Sequence, residues 1–236
     1  MVKIVVDSSS IISLAMNCLL WVYDELKNKN IEFLVPTSVR NEVINSGLES
    51  QKYKYEAVRV MHHFANGTFK AISVRDKESV SKLIHYANSS FYIQNKPLKV
   101  LQEADVEVAV VAKQIGAKAI LTDERTLRMF LENPENIKEM LKERYKSEIK
   151  VNEKALLKFK ELIGSIFVLR STEIIAFALA EGIFDPTINR CNLESNINCK
   201  KEIIEGILYS LKFSGCAISF DEISQYIPLI LERMHK

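Results

Sequence analysis

Apolar residues along this chain fall into short runs separated by helical stripes. Val2, Ile4, Val5 and Val6 make the first run, dense enough for a strand buried on both faces, and it stops at Asp7 followed by Ser8, Ser9 and Ser10. Residues 11–27 carry apolar groups at helical spacing and close on Lys-Asn-Lys-Asn, a helix and then a turn. Residues 31–35 form a second strand stopped by Pro36. Thr37 or Ser38 stands ready to cap a short helix with Val39, Val43 and Ile44 as its buried stripe and Gly47 as its end. The spacing then predicts a helix over 51–65, a turn at Asn66-Gly67, a third strand over 69–74 and a helix over 77–93. A helix over 104–115 places Asp105, Ala109 and Ala112 on one small-residue face; Gly116 closes it, and residues 117–122 are a fourth strand ending in Asp123. Residues 166–169 are a fifth strand. Helices follow over 173–182, 199–213 and 220–235, with a polar loop at 185–198, a capping box from Ser219 to Glu222 and a kink or break at Pro228. Alternation of strand and helix defines an α/β fold, a parallel sheet with helices on both faces.

Acids stand at telling places in this pattern. In open α/β sheets the crevice beyond the carboxyl ends of the strands is where ligands bind, and Asp7 and Asp123 each end a strand there. Each could also simply cap the helix after it. Glu42 lies at the edge of its helix's buried stripe, as a site residue or an ordinary surface glutamate. Asp105 gains about 0.3 to 1 kcal/mol from the helix dipole, but that gain is equally available on the solvated side. Its place on the packed side asks for a further reason. Glu107 is an accessory candidate, and Glu103 faces solvent. Two carboxylates about 5 Å apart repel by roughly 3 kcal/mol at an effective dielectric near 20, so four converging acids call for a divalent cation. All-oxygen ligands favour Mg²⁺ or Mn²⁺ over zinc.

At 236 residues and 47% hydrophobic content the chain can bury one substantial core. Its 32 basic and 30 acidic residues leave a net charge of +2, so any nucleic-acid contact must come from local patches. Lysines at 138, 142, 146, 150, 154 and 158 run along a helical stretch opened by Pro134, either a solvated face or a basic ridge for a phosphate backbone. Cys18, Cys191, Cys199 and Cys216 show no metal-knuckle spacing. Reduced, packed thiols are the default, with a Cys191–Cys199 bridge as the alternative in an oxidising or hyperthermophilic setting. Adjacent His62 and His63 diverge on their helix and read as structural. Without a membrane-length apolar run or a leader, the expectation is a cytoplasmic protein with no membrane association.

Asp7 before its hydroxyl residues, Glu42 in Pro-Thr-Ser-Val-Arg-Asn-Glu-Val-Ile, Asp105 in Asp-Val-Glu-Val-Ala-Val-Val-Ala-Lys-Gln-Ile-Gly and Asp123 in Leu-Thr-Asp-Glu-Arg together resemble the four acidic motifs of PIN-domain nucleases. Residues 166–184 and 211–224 are similar to the closing strand and helices of prokaryotic PIN proteins, including the VapC-like and related archaeal ones. The resemblance implies a three-layer fold with a five-stranded parallel sheet, and Mg²⁺- or Mn²⁺-dependent cleavage of RNA by Asp7, Glu42, Asp105 and Asp123. It also implies supporting roles for Ser9 and Thr122, a homodimer, and an antitoxin-like protein partner. The chain reads as a single domain over 1–236 with a helical insertion at 133–162 and a C-terminal helical extension at 199–236. It is longer than the compact toxins of the family, which sets it apart from a simple toxin. Two other functions compete: a PIN-like module that binds RNA or protein without cleaving, and a haloacid-dehalogenase-type phosphatase. The phosphatase needs a second acid two residues after Asp7, where this chain has Ser9.

Overall fold

The computed structural model describes residues 1–194 and 198–234, with the side chains of 193 and 194 left aside. Among the described residues eight strands run β1 Val2–Val6, β2 Ile31–Pro36, β3 Phe69–Ile72, β4 Phe91–Ile93, β5 Lys96–Pro97, β6 Ala119–Leu121, β7 Lys150–Val151 and β8 Phe167–Leu169. Five of them form a sheet in the order β3-β2-β1-β6-β8, with every neighbouring pair parallel. The chain builds outward from β1 through β2 to β3, then returns to the other side of β1 for β6 and β8. That reversal between β1 and β6 is the topological switch point at which such sheets open a crevice. Register Val6↔Leu121 brings the two strands to this edge level with one another, and Asp7 N donates to Leu121 O at 2.9 Å.

The apolar runs are buried as their density requires. Val5, Val6, Phe33, Val35, Ile120 and Leu121 are at 0% exposure, enclosed by helices that include Ser8–Met16, Glu103–Gln114 and Ser171–Ala180. On Glu103–Gln114 the alanines 109 and 112 lie buried among valines 106, 108, 110 and 111, the close packing that small residues permit. No helix among the described residues is long and apolar enough to cross a membrane.

Several elements depart from the pattern read along the chain. The helix expected over 11–27 is two, Ser8–Met16 and Trp21–Asn28, because Cys18 adopts a left-handed φ of 56° that no helix continues through. Thr37 does not cap; it is the first helical residue after Pro36, and its hydroxyl bonds Ile72 O. Gly47 does not end that helix. The coil passes through a π-helical turn, Glu42–Ser46, and on to Glu49, while Gly47 serves close packing: a Cβ there would stand 2.8 Å from that of Ala57. The helix expected over 77–93 stops at Asn88, whose side chain binds the backbone of Val100 and Leu101, and residues 91–93 become β4 of a small antiparallel sheet, β5-β4-β7.

The lysine-rich stretch is not one helix either. Lys146 turns left-handed at φ 49°, separating Ile137–Tyr145 from Glu153–Ile163, so its lysines never share one continuous ridge. Polar composition hid a helix at Asp185–Glu194, held by the buried Ile188. The default of reduced thiols is overturned at Cys191 and Cys199, which are joined in a disulfide with Cα atoms 6.0 Å apart; Cys18 and Cys216 are free. The last helix runs from Phe220 to Arg233 through Pro228 without a break, opened by Ser219 and Glu222 as expected.

Candidate active site at the carboxyl edge of the sheet

Asp7 occupies the cap position of helix Ser8–Met16, yet its side chain makes no capping bond. It turns instead across the switch point. Its Oδ2 accepts from the Ser9 hydroxyl at 2.6 Å and from the Thr122 hydroxyl at 2.7 Å. Each hydroxyl has one hydrogen, given to the carboxylate, and each oxygen in turn accepts a backbone N–H: Asp123 N to Ser9 at 2.9 Å and Glu124 N to Thr122 at 3.1 Å. The result is a short relay from the turn after β6 into the carboxylate, with Asp7 at 3% exposure and Thr122 at 0%. Such charge-assisted bonds fix where the carboxylate points.

Asp123 is 3% exposed, and it does not cap the helix after it. Its Oδ1 accepts Ser171 N at 2.7 Å, tying β6 to the helix after β8, while Oδ2 is buried without a hydrogen-bond partner. The Cys216 thiol abuts this acid and is pushed well up, by burial first and then by the aspartate's charge. Asp7 and Asp123 also reach one common neighbour: the phenol of Tyr23, enclosed beneath them, is pushed up by burial and further by both charges.

Asp105 sits in the first turn of Glu103–Gln114 and accepts Gln102 N at 2.7 Å. Loss of water, opposed by that bond and helped by the charges of Asp7, Glu124 and Glu42, raises its carboxyl to about 6. Glu42 opens the π-helical turn at the rim, its carboxyl raised by lost hydration and by Asp7, with the Ser8 hydroxyl opposing. Asp7, Glu42 and Asp105 therefore lie within electrostatic reach of each other, as the sequence spacing suggested. Glu107 makes no hydrogen bond or ion pair with them among the described residues.

One acid escaped the sequence reading. Glu124 is felt by Asp105, and its Oε2 accepts Leu127 N, capping Arg125–Glu132. The signal was there: two consecutive acids close β6, and consecutive residues leaving a strand point to different sides. Asp123 turns toward β8, and Glu124 toward the crevice charge.

A divalent cation suits this donor set. Every available ligand atom is a carboxylate or hydroxyl oxygen, Asp123 keeps an unpartnered buried oxygen, and Asp105 is raised by three negative neighbours that a cation would offset. Among the described residues no three acidic, histidine or cysteine side chains are gathered closely enough to hold a metal ion as they stand.

A family model described as a PIN domain matches residues 3–138, more than half of the chain. The chain belongs to the PIN-domain family, whose nuclease-like fold is the three-layer α/β architecture described above. No curated protein and no solved structure matches it.

Proposed function

We propose that this chain is a metal-dependent endoribonuclease. The observation that carries the reading is Asp7: a carboxylate at a cap position that leaves its own helix uncapped and is aimed by two hydroxyls into a crevice shared with Asp105 and Glu42. A stabilising structural acid would take the capping bond worth about 1 kcal/mol. Concentrating negative charge here instead costs stability, as site residues often do.

Asp7, Asp105 and Asp123 would hold Mg²⁺ or Mn²⁺, with Glu42 and Glu124 at the rim. Bound there, the cation would lower the pKa of a water and offset charge on the phosphate under attack. Ser9 and Thr122 keep Asp7 aligned, since both give it their only hydrogens. Ser171 N fixes Asp123 Oδ1, so Oδ2 would be the ligand atom. Glu42, exposed at the mouth, would orient water arriving from solvent. The test is cleavage of a labelled RNA in Mg²⁺ or Mn²⁺ by wild type and Asp7→Asn: loss of cleavage in a folded variant supports the reading, and equal cleavage defeats it.

A second reading, a PIN-like module that binds RNA without cutting it, draws on the absence of a ready-made cage among the described residues. Calorimetric titration with Mn²⁺ separates the two. Binding that Asp123→Asn weakens favours the nuclease, and no binding favours the module. A homodimer and an antitoxin-like partner remain part of the proposal on family resemblance alone, to be checked by light scattering and by co-purification.

A further inference from the structure

Beside the acidic crevice lies a groove of about 470 Å³ between helix Arg125–Glu132 and the turn after helix Cys199–Phe213. One wall comes from the stretch that matches the PIN family and the other from residues well beyond it. Arg125, Arg128 and Lys212 line it. Arg125 is exposed and makes no ion pair or hydrogen bond among the described residues. Arg128 spans the walls, giving Nη1 to Ala217 O at 3.3 Å with Nε 3.7 Å from Glu132, while Lys212 Nζ donates to Ile218 O and lies 4.3 Å from the Phe220 ring centroid. The groove's one carboxylate, Glu222, shares Arg170 with Glu173, so three lining cations stand against a single partly offset acid and the lining is net positive. At its lip the Phe213 ring is 76% exposed.

We infer that this groove carries single-stranded RNA away from the acidic crevice, its cations following the phosphates and Phe213 stacking on an unpaired base. The inference rests on the nuclease reading for its direction. Continuity is given by Cys216, which lines the groove and abuts Asp123 on its inner side. Cations that track a backbone, joined to an aromatic face, are the general means of holding a single strand. A duplex would offer Phe213 no base to stack on, and an acidic protein would leave the exposed ring without a matching surface. The cation count is local, which is how a chain with a net charge of only +2 can hold a polyanion.

The test uses the full chain carrying Asp7→Asn, so that nothing is cut, and a fluorescein-labelled oligouridylate of about twelve nucleotides followed by anisotropy across a salt series. Phe213→Ala should weaken binding roughly five- to 150-fold, the range of a lost base stack. Arg125→Ala should weaken it and flatten the logarithmic salt slope by about 0.7, one phosphate contact on a single strand. Both side chains are exposed, and a thermal melt confirms that each variant is folded. Unchanged affinity and salt slope in both variants overturn the groove, as does equal affinity for a perfectly paired duplex of the same length. In the otherwise wild-type chain, a groove that binds while no RNA is cut retires the nuclease reading and leaves the groove standing. Cleavage that is indifferent to both variants does the reverse.

Discussion

Ser171 N donates to Asp123 Oδ1 at 2.7 Å, so the acid that ends β6 is held by the first residue of the helix that follows β8. This bond separates two jobs within one side chain. Oδ1 is structural, and Oδ2 is buried and unpartnered. Asp123→Asn keeps an oxygen acceptor for Ser171 and is expected to change stability by less than about 1 kcal/mol while abolishing cleavage. Asp123→Ala loses the charged acceptor and should cost roughly 1.5–3 kcal/mol in urea unfolding. Equal stability losses in the two variants would remove the division of labour.

The hydroxyl relay into Asp7 makes a second prediction. Ser9→Ala and Thr122→Val each delete one donor to Oδ2, at roughly 1.5–3 kcal/mol for a bond to a buried charge. The two share one acceptor and touch at 3.2 Å, so the double variant should depart from additivity by about 0.5 kcal/mol or more. A strictly additive cycle would show that the hydroxyls act independently.

Metal removal should be visible without any substrate. Because Asp7, Glu42, Asp105 and Glu124 repel in the apo chain, Mn²⁺ should raise the melting temperature and EDTA should reverse the rise. Asp105→Asn relieves part of that repulsion, so it should melt above wild type in EDTA and gain less from Mn²⁺. A variant that gains as much as wild type would remove Asp105 from the ligand set.

Acid sensitivity has a seat in the C-terminal half. Partial burial pushes Glu222 up, but the Ser219 N–H and the Arg170 guanidinium more than offset this and hold it at about 2. A carboxyl depressed on folding contributes stability that is fully present above its unfolded value and lost as pH falls through the folded one. The loss should therefore develop from about pH 4.5 toward pH 2, the span between the ordinary glutamate value and the held one. Glu222→Gln should flatten the stability profile in that window and leave it unchanged near neutrality in shape. The effect will be modest, since 40% of the Glu222 side chain meets solvent that screens the pair.

The strand-ending acids were legible because a buried parallel strand is a run of apolar residues with a visible stop, and Val2–Val6 and Ala119–Leu121 both have one. Order along the chain and the rules of parallel crossover then placed Asp7 and Asp123 at one edge. Glu124 was overlooked because the first acid after β6 satisfied the pattern, and side-chain direction at a strand's exit is not written in composition. The π-helical turn at Glu42 was equally hidden, since one wider turn leaves the surrounding apolar stripe almost intact. Arg170 is the clearest case of information that only folding supplies. At 7% exposure it pairs with Glu173, three positions on, at 2.5 Å and with Glu222, 52 positions away, at 2.8 Å, and this second partner is one that no local window contains.

The edge strand β8 and Ser171 lie past residue 138, where the family match stops. Trimming the chain to that matched stretch would strip β6 of a neighbour, bare a row of hydrogen-bonding groups prone to self-association, and release Asp123 from its anchor. The acidic crevice and its scaffolding thus coincide with the matched stretch only in part, and a minimal folded fragment has to be cut by hydrogen bonds, with family boundaries as a poor guide.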